Sequence, residues 1–136
     1  MSLRRVLTRL LRGRSPGYVA QAGVKAVNDR RWDDFRKLAS DDFRYRDSED
    51  NELEGSEAFI AAMQAMLGDA PDFELDVKDY QAAGQTVVMK GFTNSENHRF
   101  RTVSAWRIDV KSGRILRWQN YRANDTVRLR DYAEAS

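Results

Sequence analysis

The chain has 136 residues, 41% of them apolar, no cysteine and a formal net charge of +2. That length suits one domain and is short for two. The missing cysteines exclude disulfides, thiolate metal sites and thiol catalysis and agree with a reducing cytoplasm, and the near balance of charge argues against a dedicated nucleic-acid binder.

Residues 1–14 read as a unit of their own, a basic amphipathic helix. Leu3, Val6, Leu7, Leu10 and Leu11 keep helical spacing along one stripe, while Arg4, Arg5, Arg9, Arg12 and Arg14 cover most of the remainder. Arginine interrupts the apolar run too often for a secretory signal. Such a helix can lie on an anionic membrane. The simpler reading is that it packs on its own domain or on a partner subunit, so membrane contact by residues 3–12 is not expected.

Residues 15–136 read as an α+β domain. Ser15 and Pro16 supply an N-cap and a first-turn proline. Tyr18, Val19, Ala22, Ala26 and Val27 give the buried stripe of a helix that Asn28-Asp29 breaks. Trp32, Phe35 and Leu38 mark a second short helix. From Phe43 to Asp47 the pattern alternates, as in a half-buried strand, with Phe43, Tyr45 and Asp47 on one face and Arg44 and Arg46 on the other. A polar, acidic loop covers 48–54. Phe59, Ile60, Met63, Met66 and Leu67 then form the stripe of a third helix that ends before Gly68. Strands follow over about 73–80, 86–92, 98–110 and 115–122, joined by short turns that favour antiparallel neighbours. After Asn124 the tail is polar, fraying or forming a short helix.

Several strings resemble the SnoaL-like branch of the nuclear transport factor 2-like superfamily. Val24-Lys25-Ala26-Val27-Asn28 with Trp32-Asp33-Asp34-Phe35 is similar to its first helix and the turn into the second. Leu38 to Asp47 resembles its segment of alanine and paired acids leading to a strand that ends in Asp, and Gly55-Ser56-Glu57-Ala58-Phe59 the start of its third helix. Trp106-Arg107-Ile108, with Gly113 to Trp118 and Tyr121, resembles its closing hairpin. The likeness spans about residues 17–123. It implies a cone-shaped, curved antiparallel sheet wrapped around two to three helices, the nuclear transport factor 2-like or cystatin-like fold. The family holds isomerases, polyketide cyclases, epoxide hydrolases and plain binding modules, so fold alone does not choose a function.

The resemblance implies a base at Asp47, where isomerase-like members place theirs. Alternation sets Asp47 beside Tyr45 and Phe43, facing an apolar cone whose low polarity would raise a carboxylate's pKa. The isomerase's phenolic donor falls instead at Gly23 and its neutral acid near Ser104. An acid that often closes the last strand in SnoaL-like chains is replaced by Ala123, with Asp125 two residues on. If Ser104 faces the cavity, so do Phe100, Thr102 and Trp106, and the same alignment turns Trp118, Asn120 and Arg122 inward. Asp47, Tyr45 and Ser104 are therefore the catalytic candidates. Phe43, Phe59, Met63, Trp106, Trp118, Asn120 and Arg122 are the candidate pocket.

His98, the sole histidine, reads as a surface residue. The acids Asp47, Glu49, Asp50, Glu52 and Glu54 lack the spacing of a calcium loop and read as solvated. Neither a metal nor an organic cofactor is implied. Arg44, Arg46, Arg99, Arg101, Arg107 and Arg117 are expected on the convex sheet face, which commonly forms a dimer in this family. Two functions follow as expectations: a homodimeric binder of a small apolar or ring-shaped ligand, with isomerase- or cyclase-type proton transfer if it is an enzyme, or a non-catalytic dimerisation or protein-interaction module.

Overall fold

The computed structural model describes residues 14–122 and 129–133; the helix expected over residues 3–12 lies outside them, as do Ala123 and Asp125. Helix α1 runs from Pro16 to Asn28, and the Ser15 hydroxyl accepts a hydrogen bond from the Tyr18 N–H at 3.2 Å. Its buried face is centred on Val19, Gly23 and Val27. Tyr18 lies nearly opposite at 100° per residue and is 57% exposed, so its expected burial is corrected. A side chain at Gly23 would come within 2.8 Å of Ile115 Cδ1, and its absence lets α1 settle on the sheet.

Helix α2 (Trp32–Leu38) leads directly into strand β1 (Ala39–Arg46). A three-residue strand β2 (Glu52–Glu54), within the segment read as a loop, folds back on β1 in antiparallel register. Helix α3 covers Ser56–Leu67, followed by β3 (Glu74–Ala83), β4 (Thr86–Asn94), β5 (Thr102–Lys111), β6 (Arg114–Arg122) and the short helix α4 (Leu129–Ala133). His98–Phe100, expected as the start of a strand, is a 3-10 turn instead, because the Asn97 side chain accepts from the Arg99 N–H and caps it.

The six strands form one curved, unclosed sheet in the order β2-β1-β6-β5-β4-β3. Neighbours are antiparallel except β1 and β6, which run parallel and make the sheet mixed. A bulge between Val77 and Asp79 bends β3 across from Gly91, where any Cβ would overlap the Asp76 carbonyl. The Asn28 side chain ties α1 to β3 by donating to the Leu75 carbonyl and accepting from its N–H, both at 2.9 Å. The Arg30 guanidinium reinforces that tie by donating to the carbonyls of Val27 and Phe73.

Helices α1, α2 and α3 lie against the inner face of the sheet. Under α2 and α3 the core is aromatic: Phe35 stacks on Phe59 at 5.0 Å and meets Phe43 edge-on at 5.6 Å, with Trp118 5.9 Å from Phe59. Burial of such side chains stabilises by roughly 1.5–3 kcal/mol each. This dense corner fixes β1 against β6, and the open end of the sheet lies beyond it.

Candidate functional site

Beyond the aromatic corner the packing loosens into a cavity of about 70 Å³. Its walls come from Val27 of α1, Phe59, Met63 and Met66 of α3, the inward residues of the sheet, Phe73 just before β3, Phe100 of the 3-10 turn, and Leu129 of α4. The register explains the sheet's share. Ser104 pairs with Arg122, and Trp106 with Asn120, across the antiparallel β5–β6 ladder. Period-two alternation then puts Thr102, Ser104 and Trp106 on the same face as Trp118, Asn120 and Arg122, and all six line the cavity.

Tyr45 reaches the cavity from β1. Burial pushes its phenol above the ordinary tyrosine range; a hydrogen bond with the Asn120 side chain offsets part of that, Asp47 adds to it and Arg122 opposes it. The phenol therefore stays neutral and remains a hydrogen-bonding group rather than a base. Arg122 has a side chain only 7% exposed, 3.9 Å from the Glu49 carboxylate. Thr93 is satisfied, donating to the Phe100 carbonyl at 2.6 Å.

Two polar atoms are left over. Ser104 Oγ and Asn120 Oδ1 are buried without a hydrogen-bond partner among the described residues. Both belong to residues that line the same cavity. An unsatisfied buried polar group costs about 1–3 kcal/mol, so two around one cavity call for a reason.

Two of the expected residues sit elsewhere. Asp47 is buried, as alternation requires, but it does not line the cavity. Its carboxylate accepts from the Glu49 N–H at 2.8 Å, the Asn51 N–H at 3.0 Å and the Asn51 side-chain amide at 3.0 Å. Those three donors belong to the turn into β2, and they hold the carboxylate at the strand end. Phe43 is also buried yet spent in the aromatic corner, because Phe35 and Phe59 close over it.

Other expectations shift as well. Glu52 and Glu54 bind Arg44, and Glu52 binds Arg46, so these acids and arginines pair across β1–β2. Arg101 donates to the Ser95 carbonyl, and Arg99 belongs to the 3-10 turn, placing both in the β4–β5 connection rather than on the convex face. Residues absent from the sequence-based pocket include Val27, Met66, Phe73, Leu75, Thr93 and Leu129. The first four were visible as apolar positions; nothing local marked Thr93 or Leu129 as facing the same space.

A profile of the SnoaL-like domain matches residues 20–118. The chain belongs to the SnoaL-like domain family. Among solved structures, this SnoaL-like domain is similar to a candidate polyketide cyclase from Streptomyces antibioticus, with TM-score 0.73 and 16% identity over 83% of this chain and 95% of that one. A candidate ketosteroid isomerase from Kribbella flavida gives TM-score 0.70 and 19% identity over 83% and 81% of the two chains. An epoxide hydrolase-like protein of M. tuberculosis gives 0.66 and 19%, over 79% and 81%. At these identities the likeness shows the fold, with nuclear transport factor 2-like and cystatin-like neighbours. No curated protein matches the chain. No helix among the described residues is long and apolar enough to cross a membrane.

Proposed function

We propose that this SnoaL-like domain binds a small, largely apolar, ring-shaped or polyketide-like ligand carrying a hydroxyl or carbonyl. The observation that carries the reading is the pair of unsatisfied buried atoms, Ser104 Oγ and Asn120 Oδ1, in the wall of one cavity. A ligand hydroxyl can donate to Asn120 Oδ1, and a ligand carbonyl can accept from Ser104 Oγ. Trp106, Trp118 and Phe59 supply apolar walls, and Arg122 and Tyr45 supply charge and a neutral phenol beside them. Neighbours named as polyketide cyclase and ketosteroid isomerase candidates support a ligand of this class.

The cavity is too small for such a ligand as it stands. Ligand pockets usually measure about 300–1,000 Å³, and even benzene takes an engineered cavity of about 150 Å³. Binding therefore requires the wall to yield. The part taken to yield is α4, five residues long, which packs on the body through Leu129, Ala133 and Tyr132, whose hydroxyl donates to Asp69 at 2.5 Å.

Proton-transfer catalysis by Asp47 is the weaker form of the reading, since its carboxylate already accepts three hydrogen bonds. Dimerisation is proposed through the outer face of the sheet. Phe92 and Val103 pair across β4–β5, Ala105 and Tyr121 across β5–β6, and Phe92, Val103 and Tyr121 are exposed. A second copy presenting the same strip makes a self-complementary interface. This is also the surface that a purely interaction-based function would use.

The test is a thermal-shift screen against steroids, phenolic polycycles, terpenoids and fatty acids. A true ligand at a hundred times its Kd stabilises the fold by about 2.7 kcal/mol. The Ser104→Ala variant should bind that ligand on the order of tenfold more weakly. A hit that Ser104→Ala and Asn120→Leu leave unchanged would contradict the assigned polar anchors, and silence across the panel would favour the interaction module.

A further inference from the structure

Strand β6 ends on an arginine that faces inward. Period-two alternation puts Trp118, Asn120 and Arg122 on one face of the strand, and all three line the cavity. Arg122 differs from the other arginines in ion pairs among the described residues. Arg31, Arg36, Arg44, Arg46 and Arg107 keep 32% to 65% of their side chains exposed and reach a carboxylate within 3.6 Å. The Arg122 side chain is 7% exposed, and its contact with Glu49 is longer than any of those, at 3.9 Å. Glu49 is 44% exposed and forms no part of the cavity wall. Among the described residues no acid lines the cavity, and Arg122 is the one charged residue that does. A guanidinium is costly to bury and is held best by an anion that meets its planar fork.

The groups around Arg122 are donors as well. A hydrogen bond with the Asn120 side chain pulls the pKa of the Tyr45 phenol down, so the phenol oxygen accepts it from the Asn120 amide. That agrees with Asn120 Oδ1 having no partner among the described residues, and it leaves the phenol's own O–H as a donor. The Arg122 charge also acts on this phenol, which makes the two neighbours. Asp47 acts on it too, but its carboxylate is taken up by three donors of the turn into β2. The Ser104 hydroxyl is the other donor, buried without a partner and paired with Arg122 across the β5–β6 ladder.

We propose that the ligand of this cavity is an organic acid, a ring-bearing carboxylate whose anionic group meets Arg122, Ser104 and Tyr45. The inference rests on the reading of the cavity as a site for a ring-shaped ligand and adds the charge that this ligand carries. The guanidinium has five N–H donors and can hold Glu49 and a ligand carboxylate together. The two hydroxyls serve the remaining carboxylate lone pairs, and a hydroxyl on the ligand's ring can donate to Asn120 Oδ1. A neutral ester or alcohol of the same ring gains the apolar walls and the hydroxyls but not the charge-assisted bond. Arg122 is therefore the residue that selects the acid.

Calorimetric titration of the full chain with matched probes tests it: benzoate, naphthoate and anthracene carboxylate, each beside its methyl ester and its primary alcohol. For a ring that binds, the acid should bind on the order of tenfold or more tightly than its ester and alcohol. Arg122→Met should weaken the acid on the order of tenfold or more and the alcohol far less. Arg122→Lys keeps the charge but not the fork, and should retain part of the preference. Equal affinities of acid, ester and alcohol would overturn the proposal and leave the cavity standing as a ring-ligand site, as would an acid preference that survives in Arg122→Met. If no probe of any ring size binds, the reading of the cavity fails and this inference fails with it. The comparison of acid with ester in the unsubstituted protein needs no variant, so it decides even where Arg122→Met does not fold.

Discussion

Asp47 and Ser104 both lie on the inner side of the same sheet, and both are buried polar residues. Their settings differ in one respect. At the end of β1, the turn into β2 supplies three donors to the Asp47 carboxylate, two of them backbone N–H groups. Within β5, the backbone is committed to its ladders and nothing among the described residues reaches the Ser104 hydroxyl. Burial alone therefore does not separate a structural polar group from a binding one. What separates them is whether the fold has already provided its hydrogen bonds.

That contrast can be broken by substitution, beginning with the satisfied group. Asp47→Ala removes three part-buried hydrogen bonds of the turn into β2 and should cost about 2 kcal/mol in chemical denaturation. Asp47→Asn keeps an acceptor and should leave ligand binding intact; loss of a turnover while binding persists would restore Asp47 as a base. Next comes the cavity wall. Leu129→Ala should cost about 2 kcal/mol and speed ligand association, because it opens the end that α4 closes. An unchanged association rate would place the access route elsewhere.

Tyr45 gives a smaller and pH-dependent effect. Its folded phenol titrates above the usual value, so its contribution to stability is complete below about pH 10 and is lost as pH rises toward the folded value. The alkaline part of the stability profile should flatten in Tyr45→Phe, which at neutral pH should cost about 1 kcal/mol for the hydrogen bond with Asn120. A tyrosinate absorbance titration in which every phenol ionises near the ordinary value before unfolding would refute this.

How much of this was readable beforehand follows from the range of each interaction. The Ser15 cap, Pro16 and the stripe of α3 are set within a turn of helix, and the sequence pattern placed them well. Period-two alternation grouped Ser104 with Trp106, and Trp118 with Asn120 and Arg122, because no bulge intervenes in that part of the β5–β6 ladder. Glu52–Glu54 escaped notice because three residues are too few for a periodic signal, and its pairing with β1 depends on the turn that Asp47 organises. Alternation correctly turned Asp47 inward and was silent on what it would meet there. The parallel β1–β6 contact and the arrival of Leu129 at the cavity join residues far apart in the chain, which no local pattern records.

The most direct measurement of the central claim is the melting temperature of Ser104→Ala, with and without a ligand from the screen. Removing a buried hydroxyl that has no partner should raise the stability of the empty protein by about 1 kcal/mol, near 4 °C for a domain of this size, while reducing the shift that the ligand produces. A variant less stable than the parent without ligand, and equally stabilised by it, would mean that the hydroxyl serves the fold and that the cavity is not built to hold a polar ligand at Ser104.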